Sequence, residues 1–214
     1  MKIKKWKMII IVACFIAAII AVIKRQEYTN IMEDEKNIEL FSVAPIRNDF
    51  LSDSMAGYKE ILNKSPIVLR VKAKGKIEYS FKTIKQQVEV LKVYKGNEIR
   101  VGEVIEVLTT RQALDFNDMT FNLGFTNLMK KDNEYLIFFD EKIDNPYTGD
   151  NIYRISDMLF NPVFNYSDVD NVVIEEGRYV LYSLVIDNEF IVGDSVTLEK
   201  LLTFKHELLE IYPK

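Results

Sequence analysis

Residues 67–79, IVLRVKAKGKIEY, decide the fold. Ile67, Leu69, Val71, Ala73, Ile77 and Tyr79 fall on one side of an extended chain, and Arg70, Lys72, Lys74, Lys76 and Glu78 on the other. A period of two is that of a β-strand with one buried face. Residues 84–94, IKQQVEVLKVY, continue the pattern but change phase between Val90 and Leu91. An extra residue there, as a bulge, bends a sheet.

Outward from this pair, Lys95-Gly96-Asn97 reads as a turn, and Ile99 to Thr109 as a further strand behind a bend at Val101-Gly102-Glu103. Asp115 to Lys131 carries no periodicity and reads as a long connection. Glu134 to Asp140, EYLIFFD, is apolar without alternation, which predicts a strand covered on both faces. Asn151 to Ile155 follows a loop rich in turn residues, and Glu176-Gly177 and Asp187-Asn188 punctuate short strands as hairpins. Two helices flank the strands. Met55, Tyr58, Ile61 and Leu62 predict one near 55–63, stopped by Ser65-Pro66, and Leu198, Leu201, Leu202, Leu208, Leu209 and Tyr212 predict an amphipathic one over 197–211. The expectation is a mainly β domain, a five-stranded barrel with Val71, Val88, Val90, Ile105, Leu136 and Phe138 pointing inward.

The N-terminal end has a different composition. Met8 to Ile23, MIIIVACFIAAIIAVI, holds no charge, with Lys2, Lys4, Lys5 and Lys7 before it and Lys24 and Arg25 after it. Such a run predicts a single transmembrane helix, its flanking lysines reaching out of the bilayer, and the basic bias places the N-terminus in the cytoplasm. No pair of small residues two apart marks a cleavage site between Ala13 and Ile23, so an uncleaved anchor is expected. Ile11-Val12-Ala13-Cys14 loosely resembles a lipobox, but the apolar run continues past Cys14, so lipidation at Cys14 stays open as the alternative. The expected organisation is a cytoplasmic tip and anchor over 1–27, an acidic stalk over 28–50, and an extracytoplasmic domain over 51–214.

One histidine and one cysteine in 214 residues leave no His/Cys zinc site, no thiol with a histidine beside it in sequence and no intrachain disulfide. No metal and no cofactor is expected. Residues 1–27 hold six basic and one acidic side chain, leaving 22 basic and 31 acidic beyond them. Against that acidic background Lys64 to Lys95 carries nine basic residues and only Glu78 and Glu89. Arg70, Lys72, Lys74, Lys76, Lys82 and Lys85 are therefore the candidate binding residues, for an anionic surface of lipid headgroups or wall polymer. The alternative is a solvated sheet face balanced by carboxylates such as Glu103 and Glu106. Tyr79, Phe81 and Tyr94 offer stacking platforms, but the acidic remainder argues against nucleic acid as the partner.

Other clusters have ordinary readings. Asp140, Glu141, Asp144, Asn145, Asp150 and Asn151 lack the order of a calcium loop, Asp115 and Asp118 show no sign of an acid and base pair, and His206 sits between Lys205 and Glu207. Nucleophile-elbow glycines, S-x-x-K and phosphate-binding loops do not occur.

PIVLRVKAKGKI, then QQVEVLKVYKGNEIRVGEVIEV, then MKKDNEYLIFFDE resembles, over residues 51–157, the OB-fold domain of bacterial membrane-anchored surface proteins of the netrin and tissue-inhibitor-of-metalloproteinase type. The resemblance implies an OB barrel. Animal metalloproteinase inhibitors engage the metal through an N-terminal cysteine that this sequence lacks, so inhibitory chemistry is not implied. The expected function is a non-enzymatic, membrane-anchored binding module at the bacterial cell surface, its ligand an envelope protein or anionic polymer. A carboxylate-dependent envelope enzyme and a structural component of an envelope assembly are the alternatives.

Overall fold

The computed structural model describes residues 2–27, 35–49, 51, 55–79, 83–109, 112–115, 119–144, 151–175 and 177–214. They form two compact units, Met1–Asn37 and Ile38–Lys214.

The first unit is built on α1, Lys2–Glu27, whose 26 residues contain neither glycine nor proline to interrupt it. Its described side chains are Trp6 and Ile10 to Val22, all exposed. Among the described residues no helix is long and apolar enough to cross a membrane. The ends of the expected span Met8–Ile23, with the lysines beside them, lie outside the described side chains.

The second unit is mainly β, with two sheets. In chain order its elements are β1 (Ser42–Val43), α2 (Met55–Lys64), β2 (Ile67–Tyr79), β3 (Ile84–Lys95), β4 (Val104–Thr109), β5 (Gln112–Asp115), β6 (Thr120–Leu123), β7 (Glu134–Ile143), β8 (Ile152–Ile155), β9 (Val163–Asn165), β10 (Val180–Leu181) and α3 (Ser195–Ile211). The smaller sheet runs β10-β1-β6-β5. The larger runs β2-β3-β4-β8-β7-β9, and β2 also pairs with β7. Five strands thus form a circuit of pairings, β2-β3-β4-β8-β7 and back to β2, antiparallel except at β4–β8.

The expected phase change in β3 is a bulge. Arg70 faces Lys92 and Val71 faces Val90, so Leu91 has no opposite residue. A second irregularity lies between Ala73 and Ile77, where Gly75 takes a positive φ of 83° that a side chain would strain.

Two buried clusters flank the larger sheet. One unites Leu69, Val71 and Ala73 of β2 with Val88, Val90, Ile105, Val107, Tyr135, Ile137, Phe139, Tyr153 and Ile155. The other packs Val68, Leu136 and Phe138 against Leu62 of α2 and Leu201, Phe204 and Leu208 of α3. Val71, Val88, Val90 and Ile105 share a cluster as expected; Leu136 and Phe138 do not belong with them. Directly opposed residues share a face, and the pairs Leu69↔Ile137 and Val71↔Tyr135 set β7 one residue out of the expected phase. A continuous apolar run has no polar face to fix its parity.

Three further expectations change. The unpatterned segment after Asp115 contains β6, too short at four residues to show a period, pairing with β5 and touching β1 at Ser42↔Thr120. Among the described residues the flanks of the expected hairpins at 176–177 and 187–188 do not pair with each other; β10 pairs with β1 instead, and residue 176 lies outside the described residues. The stalk expected over 28–50 overlaps the fold: Ile38, Phe41, Val43 and Ile46 are buried, Val43 opposite Val180 of β10 and Ile46 in the cluster with α2 and α3.

Candidate binding surface on the basic strands

Alternation along β2 buries Leu69, Val71 and Ala73 and sends the basic side chains outward. Arg70 meets Glu134 at the start of β7, its Nε donating to Oε2 at 2.8 Å. Lys72 reaches Asp132 at 3.2 Å, Lys74 reaches Glu89 on β3 at 2.9 Å, and Lys76 and Lys85 close on Glu78 at 2.8 and 2.6 Å. Lys82 and Phe81 lie outside the described residues. The structure therefore brings five of the six candidate cations onto one pair of strands, each beside a carboxylate. The carboxylates are Glu134, Asp132, Glu89 and Glu78 rather than the anticipated Glu103 and Glu106; Glu103 instead accepts from Asn151 at 2.7 Å.

The pairing shows in the titration of the carboxylates. Hydrogen bonds from Lys76 and Lys85 hold Glu78 down at about 2, and the Lys74 hydrogen bond lowers Glu89 while raising Lys74. Lys72, Lys74 and Lys76 nonetheless expose 39%, 41% and 57% of their side chains. Chemically this surface is a ladder of alternating charges, suited to exchanging an internal carboxylate for an external anion.

Of the proposed stacking platforms, Tyr79 is buried, and Tyr94 donates toward the Tyr212 and Pro213 carbonyls while its hydroxyl lies 2.9 Å from that of Tyr166. Lys92 sits over the Tyr94 ring at 4.7 Å. Burial raises the Tyr166 phenol far above its ordinary value. These tyrosines fasten the end of α3 to β3.

The remaining candidates are dispersed. Asp140 accepts from the Asp157 amide and Glu141 pairs with Arg154, while Asn145 and Asp150 lie outside the described residues. Asp115 is exposed and Asp118 is not described. His206 lies 3.6 Å from the exposed Asp168. Among the described residues no three His, Cys, Asp or Glu side chains are placed to hold a metal ion.

Sequence reasoning missed the polar interior. Lys205 of α3 donates to Glu189 at 2.6 Å and to the Ser167 carbonyl at 3.0 Å, and the second carboxylate oxygen accepts from the Asn165 amide at 2.7 Å. Burial raises the Glu189 carboxyl, opposed by the Lys205 charge. Around the pair, Asn127 donates to the carbonyls of Val185, Ile186 and Asn188 and accepts from the Tyr182 hydroxyl at 2.6 Å. Asn171 accepts from the amides of Glu189 and Phe190. Of these residues Asn127, Asn165, Asn188 and Glu189 line a cavity of about 80 Å³ that also meets Lys130 and Asp187. The clue in the sequence was the density of asparagines in a segment without periodicity, since buried loop backbone needs side chains to complete its hydrogen bonds.

No family model matches the chain, and no curated protein matches it.

Proposed function

We propose that the protein is a membrane-anchored, non-enzymatic binding module, displaying an OB-type barrel outside the cytoplasm to an envelope protein or an anionic polymer. The observation that carries the binding reading is the outward face of β2, where partly exposed lysines repeat every second residue over a packed apolar layer. The circuit of five strands, each paired on both edges, supports the barrel. The anchor reading draws on the uncharged run Met8–Ile23 and on the length of α1, whose 26 residues extend about 39 Å at 1.5 Å per residue. The basic residues ahead of that run put the N-terminus in the cytoplasm and the rest of the chain outside.

Two measurements test it. A reporter active only outside the cytoplasm, fused after Lys214, is active, and the mature chain keeps its N-terminus; a mature chain starting at Cys14 or later overturns the uncleaved anchor. Replacing Arg70, Lys72, Lys74 and Lys76 with glutamine weakens retention on anionic liposomes or wall material and reduces its salt sensitivity. Retention equal to wild type across a salt series returns these residues to a self-neutralised surface.

A further inference from the structure

One side chain of the polar interior has hydrogen bonds still to make. Asn165, at the end of β9, is 3% exposed. Its Oδ1 accepts from the Ser167 amide at 2.9 Å and its backbone amide donates to Glu189 at 2.7 Å, but among the described residues nothing accepts from its Nδ2. Nor is that nitrogen sealed in protein, as the Tyr153 hydroxyl is; it opens on the cavity of about 80 Å³ that Asn165 lines. The Tyr135 hydroxyl, on the same lining, accepts from the Lys130 amide at 2.8 Å, which leaves its own hydrogen to donate. Glu189 also lines the cavity. Its carboxylate has about four positions for donors, and the Asn165 amide and Lys205 take two of them.

We propose that this cavity is a built hydration site, its occupants a small cluster of ordered waters that accept from Asn165 Nδ2 and the Tyr135 hydroxyl and donate to the remaining positions of the Glu189 carboxylate. Size limits the occupant first. At about 30 Å³ for a water in the liquid the volume suits roughly two or three molecules, each of which needs two to four polar partners. An organic ligand of more than a few heavy atoms does not fit. Charge limits it further: Glu189 repels an anion, the neighbouring Lys205 and the inward donors repel a cation, and Lys130 and Asp187 on the lining neutralise each other at 2.6 Å. A neutral molecule that both donates and accepts is what remains. Such waters return to Glu189 part of the solvation that burial takes from it, which makes a charged pair in the interior less costly to keep. Lys130 and Asp187 are themselves exposed, so the waters exchange with bulk solvent past that pair.

The test is crystallographic, on the full chain, before and after pressurisation with xenon, which enters dry apolar cavities. Expected in the unpressurised crystal are ordered waters within about 3.2 Å of Asn165 Nδ2, the Tyr135 hydroxyl and a Glu189 oxygen, and no anomalous xenon peak in the cavity after pressurisation. Asn165→Leu removes the inward donor at nearly constant volume, and the occupancy of the water beside position 165 should fall at least twofold. Xenon in the wild-type cavity, a cavity closed by its own side chains, or waters confined to the rim at Lys130 and Asp187 would each overturn the hydration site. A water of unchanged occupancy in Asn165→Leu overturns the anchoring by Nδ2. Should that variant not fold, the wild-type densities decide alone.

Discussion

Lys205 and Glu189 form an ion pair at 2.6 Å, with 1% and 3% of their side chains exposed. It joins α3 to the segment before the Phe190 bridge.

Removing one partner of such a pair leaves the other buried and uncompensated. Lys205→Met should cost about 3–5 kcal/mol in urea denaturation. Adding Glu189→Gln should return more than half of it, since an amide oxygen still accepts from Asn165. The single variant should also gain stability on acidification. A carboxyl raised above its unfolded value binds a proton in the folded state first, so folding is favoured below the raised value and weakened as pH rises through it.

Glu78 titrates in the other sense. Its carboxyl is lowered to about 2 from 4.5, so its contribution is present above 4.5 and is lost as pH falls toward 2. Because the side chain is 40% exposed, solvent screening holds that contribution below about 1 kcal/mol. Glu78→Gln should flatten the acid limb of stability between pH 4.5 and 2, and addition of 0.5 M salt should do much the same to the wild type.

β7 is covered on both faces, with Phe138 beside α3 and Phe139 beside Tyr153. Phe138→Ala and Phe139→Ala should therefore each destabilise by about 3–5 kcal/mol. A strand with one wet face would show one large cost and one close to zero.

Arg47 donates to the carbonyls of Glu175, Gly177 and Gly193 at 2.7 to 3.3 Å. A Cβ on Gly193 would come within 2.9 Å of the Arg47 side chain. Arg47→Ala should raise amide exchange at 177–180 and 191–193 and cost about 1–2 kcal/mol, while exchange in β3 and β4 stays as in the wild type.

Legibility in the sequence followed amplitude of pattern. β2, β3 and α2 declared themselves because alternation or helical spacing persisted over ten or more residues, and Leu91 betrayed its bulge by breaking that rhythm. β7 was visible as a strand but not in its facing, because Tyr135 to Phe139 offer apolar side chains to both sides. β1, β6 and β10 were not legible. β1 and β10, two residues each, are defined by what they pair with far along the chain, and β6, though it pairs with the neighbouring β5, is too short at four residues to show a period. The basic side chains of β2 were plain at once, whereas their partners Asp132 and Glu134 needed the register of β7 to be seen. Lys205 looked like the polar side of an amphipathic helix, and only the course of 165–190 reveals a carboxylate waiting for it.

The entry of the chain into the second unit has a mechanical consequence. Tension applied through residue 38 pulls along β1, which is parallel to β6 on one side and antiparallel to β10 on the other. Beyond it, Ile46 bridges Val192, and the Asn48 amide is bonded to the Asp194 side chain that caps α3. Hydrogen bonds from the amides of Ser42, Ile46 and Asn48 tie this stretch to Met119, Ile191 and Asp194, so a pull on residue 38 meets a shackle rather than the frayed end of a rope.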